Sequence, residues 1–207
     1  MKHPHWYYFA ALADDVEKTV RFVEPTPDNF KTYSIEFTRI YLAIGSEIDV
    51  VAKLLCNAID PNAKLGGINT YREVILKGFP QMPDVEVTAT RSAISLVPWK
   101  DWSGGTNPSW WACYNGVKHE RHKQFKDANL ENTLKALAGL MVLTGYLYAE
   151  DLRDNLVPIT SAGFIRFSQK YFSGSSMGPR GFVMSYRLPG IAQTKALLEA
   201  IKKTRGH

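Results

Sequence analysis

The stretch "ALAGLMVLTGYLYA", residues 136–149, is apolar on nearly every side. Wound as a helix it offers no polar face to water, so other parts of the chain, or a second copy of it, have to surround it. At 14 residues it is too short for a bilayer, which takes about 20. The break "KDANLEN" before it predicts one helix over 129–150. A core position and a dimer seam both satisfy such a helix, and a mixture of the two, hence a homodimer, is the expectation. With 207 residues the chain is long enough to bury the core of one domain around it.

The remaining elements are read from periodicity and punctuation. A short helix is expected over 10–23, ended by "EPTPDN". Phe37, Ile40, Tyr41, Ile44, Ile48, Val51 and Leu55 recur at helical spacing and predict a helix over 32–59. Asn69 is placed as the cap of a helix over "TYREVILK" that closes at Gly78. "VEVTATRSAISLVPW" (85–99) alternates and predicts a β-hairpin. Asn107-Pro108 starts a helix over 108–125, with Asn as cap and Pro in the first turn. After residue 154 the Gly-, Ser- and Pro-rich texture predicts loops and short strands, then a basic-ended helix over 190–203. The fold class is mainly α: a four- to five-helix bundle with a small hairpin insertion near 85–99 and an irregular C-terminal extension. The expected domain is 1–207, with an N-terminal helix and loop at 1–31, a helical core at 32–150 and the extension at 151–207.

Twenty-five Lys and Arg against 20 Asp and Glu leave a formal charge of +5, which suits an anionic partner and equally keeps a domain soluble. Cys56 and Cys113 lack metal-ligand spacing and read as two thiols of an intracellular protein, a disulfide remaining open. The N-terminus has no long apolar run before its first acids, so no signal peptide, a cytoplasmic location and no membrane partner are expected. The sequence contains no Gly-x4-Gly-Lys-Ser/Thr or His-Glu-x-x-His, which removes the enzyme classes built on them. "SGSSMGPRGF" reads as a flexible loop whose Arg180 could close over an anion.

The densest chemistry lies in "NPSWWACYNGVKHERHKQFKDANL", residues 107–130. At about 100° per residue, Trp110, Tyr114, Val117, Arg121 and Phe125 share one side of a helix. Arg121 then falls inside an apolar stripe and needs a partner, since an unpaired buried charge is costly. Glu47 and Glu36, on one strip of the 32–59 helix, are the expected partners. A second strip carries Trp111, Asn115, Lys118 and His122, with His119 just beyond. There an imidazole could act as acid or base, lysine supply charge and asparagine orient a ligand. Trp110 is assigned to the core, whereas Trp111 stays open between packing and base stacking. His119 and His122 are too few for a metal site, and no metal or cofactor is expected. Asp49 and Lys53 are read as an exposed i, i+4 ion pair.

"YNGVKHERHKQF" followed by a long Leu/Ala-rich helix resembles the HEPN-like superfamily, compact all-α domains of prokaryotic toxin and defence systems. The resemblance covers residues 32–150, with the 85–99 hairpin as an insertion. It implies a bundle that dimerises and binds or cuts RNA, with His119 as the family histidine. The family's arginine, separated from that histidine by four to six residues, has no counterpart: Ala112, Cys113, Tyr114 and Asn115 stand at the positions four to seven residues before it, and Arg121 follows instead. A degenerate nuclease motif is implied. On this basis His119, Lys118 and Arg121 are the candidate catalytic residues, and Asn115, His122, Trp111 and Glu47 the candidate ligand contacts. RNA or a nucleotide is the expected ligand. The alternative is a non-catalytic dimerisation scaffold, which requires Arg121 to be buried and satisfied.

Overall fold

A computed structural model describes residues 3–154, 163–178, 181–191 and 195–205, with the backbone alone at 177, 178, 181–183, 195 and 205. Among them run seven α-helices: α1 Pro4–Thr19, α2 Ile35–Ile59, α3 Ile68–Gly78, α4 Ser109–Gln124, α5 Leu130–Leu147, α6 Ala149–Arg153 and α7 Lys195–Arg205. Five short strands accompany them: β1 Val87–Ala89, β2 Ile94–Leu96, β3 Ile165–Phe167, β4 Phe172–Gly178 and β5 Gly181–Tyr186. The chain is thus mainly helical with small antiparallel sheets. No helix among the described residues is long and apolar enough to cross a membrane.

Every residue from Ala136 to Ala149 is buried. The chain itself surrounds this stretch of α5, chiefly with α2, α1 and α4. α2 is the other half of the centre and packs against α1, α3, α4, α5 and α7. The stripe read from its spacing, from Phe37 to Leu55, is wholly buried. Ser34 starts α2 by accepting a hydrogen bond from the Phe37 N–H at 3.0 Å. Asn129 starts α5 in the same way, accepting from the Asn132 N–H at 3.0 Å.

Three expectations change at helix starts. α1 begins at Pro4 rather than near residue 10, and its buried Trp6, Phe9, Leu12, Ala13 and Val16 follow helical spacing from the outset. Neither Asn69 nor Asn107 is a cap: α3 is entered from Gly67 and α4 from Pro108. Their side chains bond to each other instead, Asn107 Nδ2 donating to Asn69 Oδ1 at 2.7 Å while Arg72 donates to Asn107 Oδ1 at 3.1 Å. Two residues suited to capping therefore tie α3 to the entry of α4.

The expected hairpin is β1–β2, and the C-terminal extension adds β3 to it, in the order β2-β1-β3. Val87 lies opposite both Leu96 and Phe167. The stretch read as a flexible glycine loop is a second hairpin, β4–β5, and Arg180 lies outside the described residues.

A glycine decides how α4 seats. A Cβ on Gly45 of α2 would lie 2.2 Å from Tyr114 Cε2, so only the missing side chain lets the Tyr114 ring reach α2. Gly45→Ala is expected to cost about 1–3 kcal/mol by forced repacking. Gly66, around which nothing lies within 4 Å, is the matched control, with a change near zero or slightly stabilising. Urea denaturation of the two variants measures the difference.

Candidate functional site

The first two turns of α4 anchor it. Trp110 and Trp111 are both buried, which assigns Trp111 to packing rather than to an open strip. Trp110 Nε1 donates to the Pro98 carbonyl at 2.9 Å, and the Tyr41 hydroxyl donates to the Trp110 carbonyl. Trp99, Trp110, Trp111 and Tyr114 follow one another with ring centroids 5.0, 5.9 and 4.9 Å apart. This aromatic wall holds one side of α4 to the core and turns the other side outward.

One turn beyond Gly45, Asp49 sits at the α2–α4 seam. It accepts a hydrogen bond from the Tyr71 hydroxyl at 2.8 Å and pairs with Lys53, as the i, i+4 spacing led one to expect. Within α4 itself, Lys118 Nζ stands 5.7 Å from the centroid of the Tyr114 ring. Burial pushes the Tyr71 hydroxyl well above its ordinary range, and its bond to Asp49 adds to this. Burial likewise raises Tyr114, helped by the Asp49 charge. Both phenols therefore stay protonated near neutrality. The Cys113 thiol is raised too, first by burial and then by the Asp127 charge. That removes it as a thiolate nucleophile.

Past Tyr114 the helix becomes polar. Asn115 is half-buried and spends an amide N–H on the Trp111 carbonyl at 3.1 Å. Lys118 and His119 are exposed. At Glu120 the backbone leaves the helical region, with φ −129° and ψ 42°. Beyond this kink Arg121, His122, Lys123 and Lys126 are all exposed. The kink also brings Gln124 back over Gly116, where a Cβ would meet its Oε1 at 1.7 Å. Eight residues of straight helix rise about 12 Å, farther than a glutamine reaches, so this return needs the bend.

The kink overturns the pairing expected for Arg121. The angular reading runs the phase of Trp110, Tyr114 and Val117 straight through residue 120, where the helix in fact breaks. Those three are buried, but Arg121 lies in solvent. Neither acid waits for it. Glu47 is buried and bonded to His5 Nδ1 at 2.6 Å, and Glu36 pairs with Arg39. His5 went unnoticed because the start of α1 did, although "HPH" at the head of a helix was the available signal. Tyr71 and Gly45 were also missed, and Gly45, a gap beside the buried stripe of α2, was the clue to the seat of Tyr114.

The structure therefore brings Lys118, His119, Arg121 and His122 onto one exposed, kinked stretch and leaves Trp111 and Glu47 in the interior. Among the described residues, no three His, Cys, Asp or Glu side chains gather where they could hold one metal ion. Comparison with known proteins finds no matching family model, no matching curated protein and no matching solved structure.

Arg121→Ala is expected to leave stability within about 0.5 kcal/mol of wild type, as for an ordinary surface change. Glu47→Ala, which strands His5 at a half-buried position, is expected to cost about 1–3 kcal/mol. Thermal and urea unfolding compare them. An Arg121 variant as damaged as the Glu47 variant would contradict the exposed placement.

Proposed function

We propose that the exposed side of α4 and the turn after it, from Lys118 to Lys126, binds RNA through its phosphate backbone. The observation that carries this reading is the set of exposed cations. Lys118, Arg121 and Lys126 are exposed, and among the described residues none of them forms an ion pair. Lys123 is the exception, held by Glu120 at 3.2 Å. Exposed, uncompensated cations at successive turns suit a regularly spaced polyanion better than a single carboxylate or a neutral ligand. The resemblance of "YNGVKHERHKQF" to the HEPN-like proteins supports the same ligand class and a place in a prokaryotic defence system.

Cleavage is the further part of the proposal. His119 would take the proton of a ribose 2′-hydroxyl as its oxygen bonds to the adjacent phosphorus. Lys118 or Arg121 would offset the charge of the phosphorane, and the bond from phosphorus to the 5′-oxygen would break as that oxygen takes a proton from water. Binding has the better support, because an imidazole acts best as a base when a second group orients it. Among the described residues no hydrogen-bond partner holds the exposed His119. The scaffold alternative required a buried, satisfied Arg121, and the exposed guanidinium counts against it.

Fluorescence anisotropy with a labelled RNA strand, run at several salt concentrations, tests the reading. Lys118→Ala and Arg121→Ala should each weaken binding several-fold and lower the slope of log affinity against log salt by about one counterion. His119→Ala should bind nearly as wild type and, where wild type cuts the strand, fail to cut. A wild-type protein with no salt-dependent RNA binding would discard the proposal.

A further inference from the structure

Tyr33 is 42% exposed and stands edge-on to Phe125, with ring centroids 5.6 Å apart and planes at 88°. The contrast with the aromatics of α4 is sharp, since Trp110, Trp111 and Tyr114 are all sealed in the core. The exposed ring is held on a fixed backbone. The Leu130 N–H donates to the Thr32 carbonyl at 2.9 Å, the Glu131 N–H to the Phe30 carbonyl at 3.2 Å, and Tyr33 bridges to Asn129. Asn129 is itself the cap of α5, so the segment bearing Tyr33 is stitched to the start of the central helix.

Its surroundings are those of the proposed phosphate contacts. Phe125 opens the short turn Phe125–Asp127 that follows α4. Arg121 and His122 precede Phe125 by about one helical turn, and the exposed Lys126 follows it. Two acids are near. Glu131 is occupied by Lys31 at 2.9 Å and Lys135 at 2.7 Å, and Asp127 is the acid of the turn itself. An exposed aromatic ring, fixed in place and bordered by cations, is the combination that receives an unpaired base while its flanking phosphates are held.

We infer that Tyr33, backed by Phe125, is a stacking platform for an unpaired base, so that the ligand of this surface is single-stranded. In a duplex the base faces are stacked on one another and closed to a side chain. The platform rests on the RNA reading above and deepens it, because it converts a charge-driven contact into selection of strand state. Tyr33 supplies a π-face without hydrogen-bond readout, and the preference it confers is indifferent to base sequence.

Anisotropy with three probes of equal length tests this: a single-stranded RNA, the corresponding duplex, and a ribose-phosphate strand lacking bases. Wild type should prefer the single strand to the baseless strand by about tenfold, the typical effect of one base–aromatic stack. Tyr33→Ala should lose that tenfold preference while keeping its affinity for the duplex and the baseless strand, along with the salt slope. Tyr33→Phe should behave as wild type, and thermal melts should show all variants folded. If Tyr33→Ala binds the single strand like wild type while Lys118→Ala weakens it, the platform is overturned and the phosphate contacts stand. Failure of wild type to bind any of the three overturns both.

Discussion

The enclosure of α5 is the constraint on which the rest of the molecule depends. A helix without a polar face gains from burial all round, at about 25 cal/mol for each Å² of apolar surface removed from water. α2, the longest helix among the described residues, packs along it, and its own stripe from Phe37 to Leu55 closes one side. α1 and α4 close others. The pair α2–α5 then acts as a frame with limited room, and each further element approaches where small residues permit. Gly139 on α5 meets Trp110, and Gly45 on α2 meets Tyr114. Between them these two glycines set the height and rotation of α4.

From that seating the chemistry of the candidate site follows. With Trp110, Trp111 and Tyr114 holding α4 to the core, Lys118 and His119 reach solvent at the next turn, and the α2 side of the seam carries Asp49 with its partners Lys53 and Tyr71. Both carboxylate oxygens of Asp49 are used, one by Tyr71 and one by Lys53. The seam is therefore internally neutral, and the uncompensated positive charge lies on Lys118 before the kink and on Arg121 and Lys126 beyond it.

Much of this architecture was legible in the chain. The stripe of α2, the all-round apolar run of α5 and the break before it, the first hairpin and the Asp49–Lys53 pair are all local features, set by residues close along the chain. The candidate site was legible in part. Lys118, His119 and His122 are exposed, as their polar strip implies, whereas Trp111 packs inside and Arg121, which the angular reading puts in the apolar stripe, lies in solvent. Asn69 and Asn107 fit the pattern of caps but found each other across space instead, since an asparagine amide bonds to whichever partner the fold presents.

What the sequence determined by itself was which segments are helical, which faces are greasy and that α5 must be enclosed, because hydrophobic periodicity is a property of neighbours along the chain. Tertiary structure alone decided what encloses α5, that β3 joins the first hairpin, and where the phase of α4 ends. The reason is geometric. Angular position accumulates at about 100° per residue, so one non-helical residue, Glu120, reassigns every side chain after it. Glutamine 124 returns to Gly116, Arg121 moves from the core to solvent, and Glu47 takes His5 from the far end of the sequence. Those partners are fixed by distance in space, which no local spacing encodes.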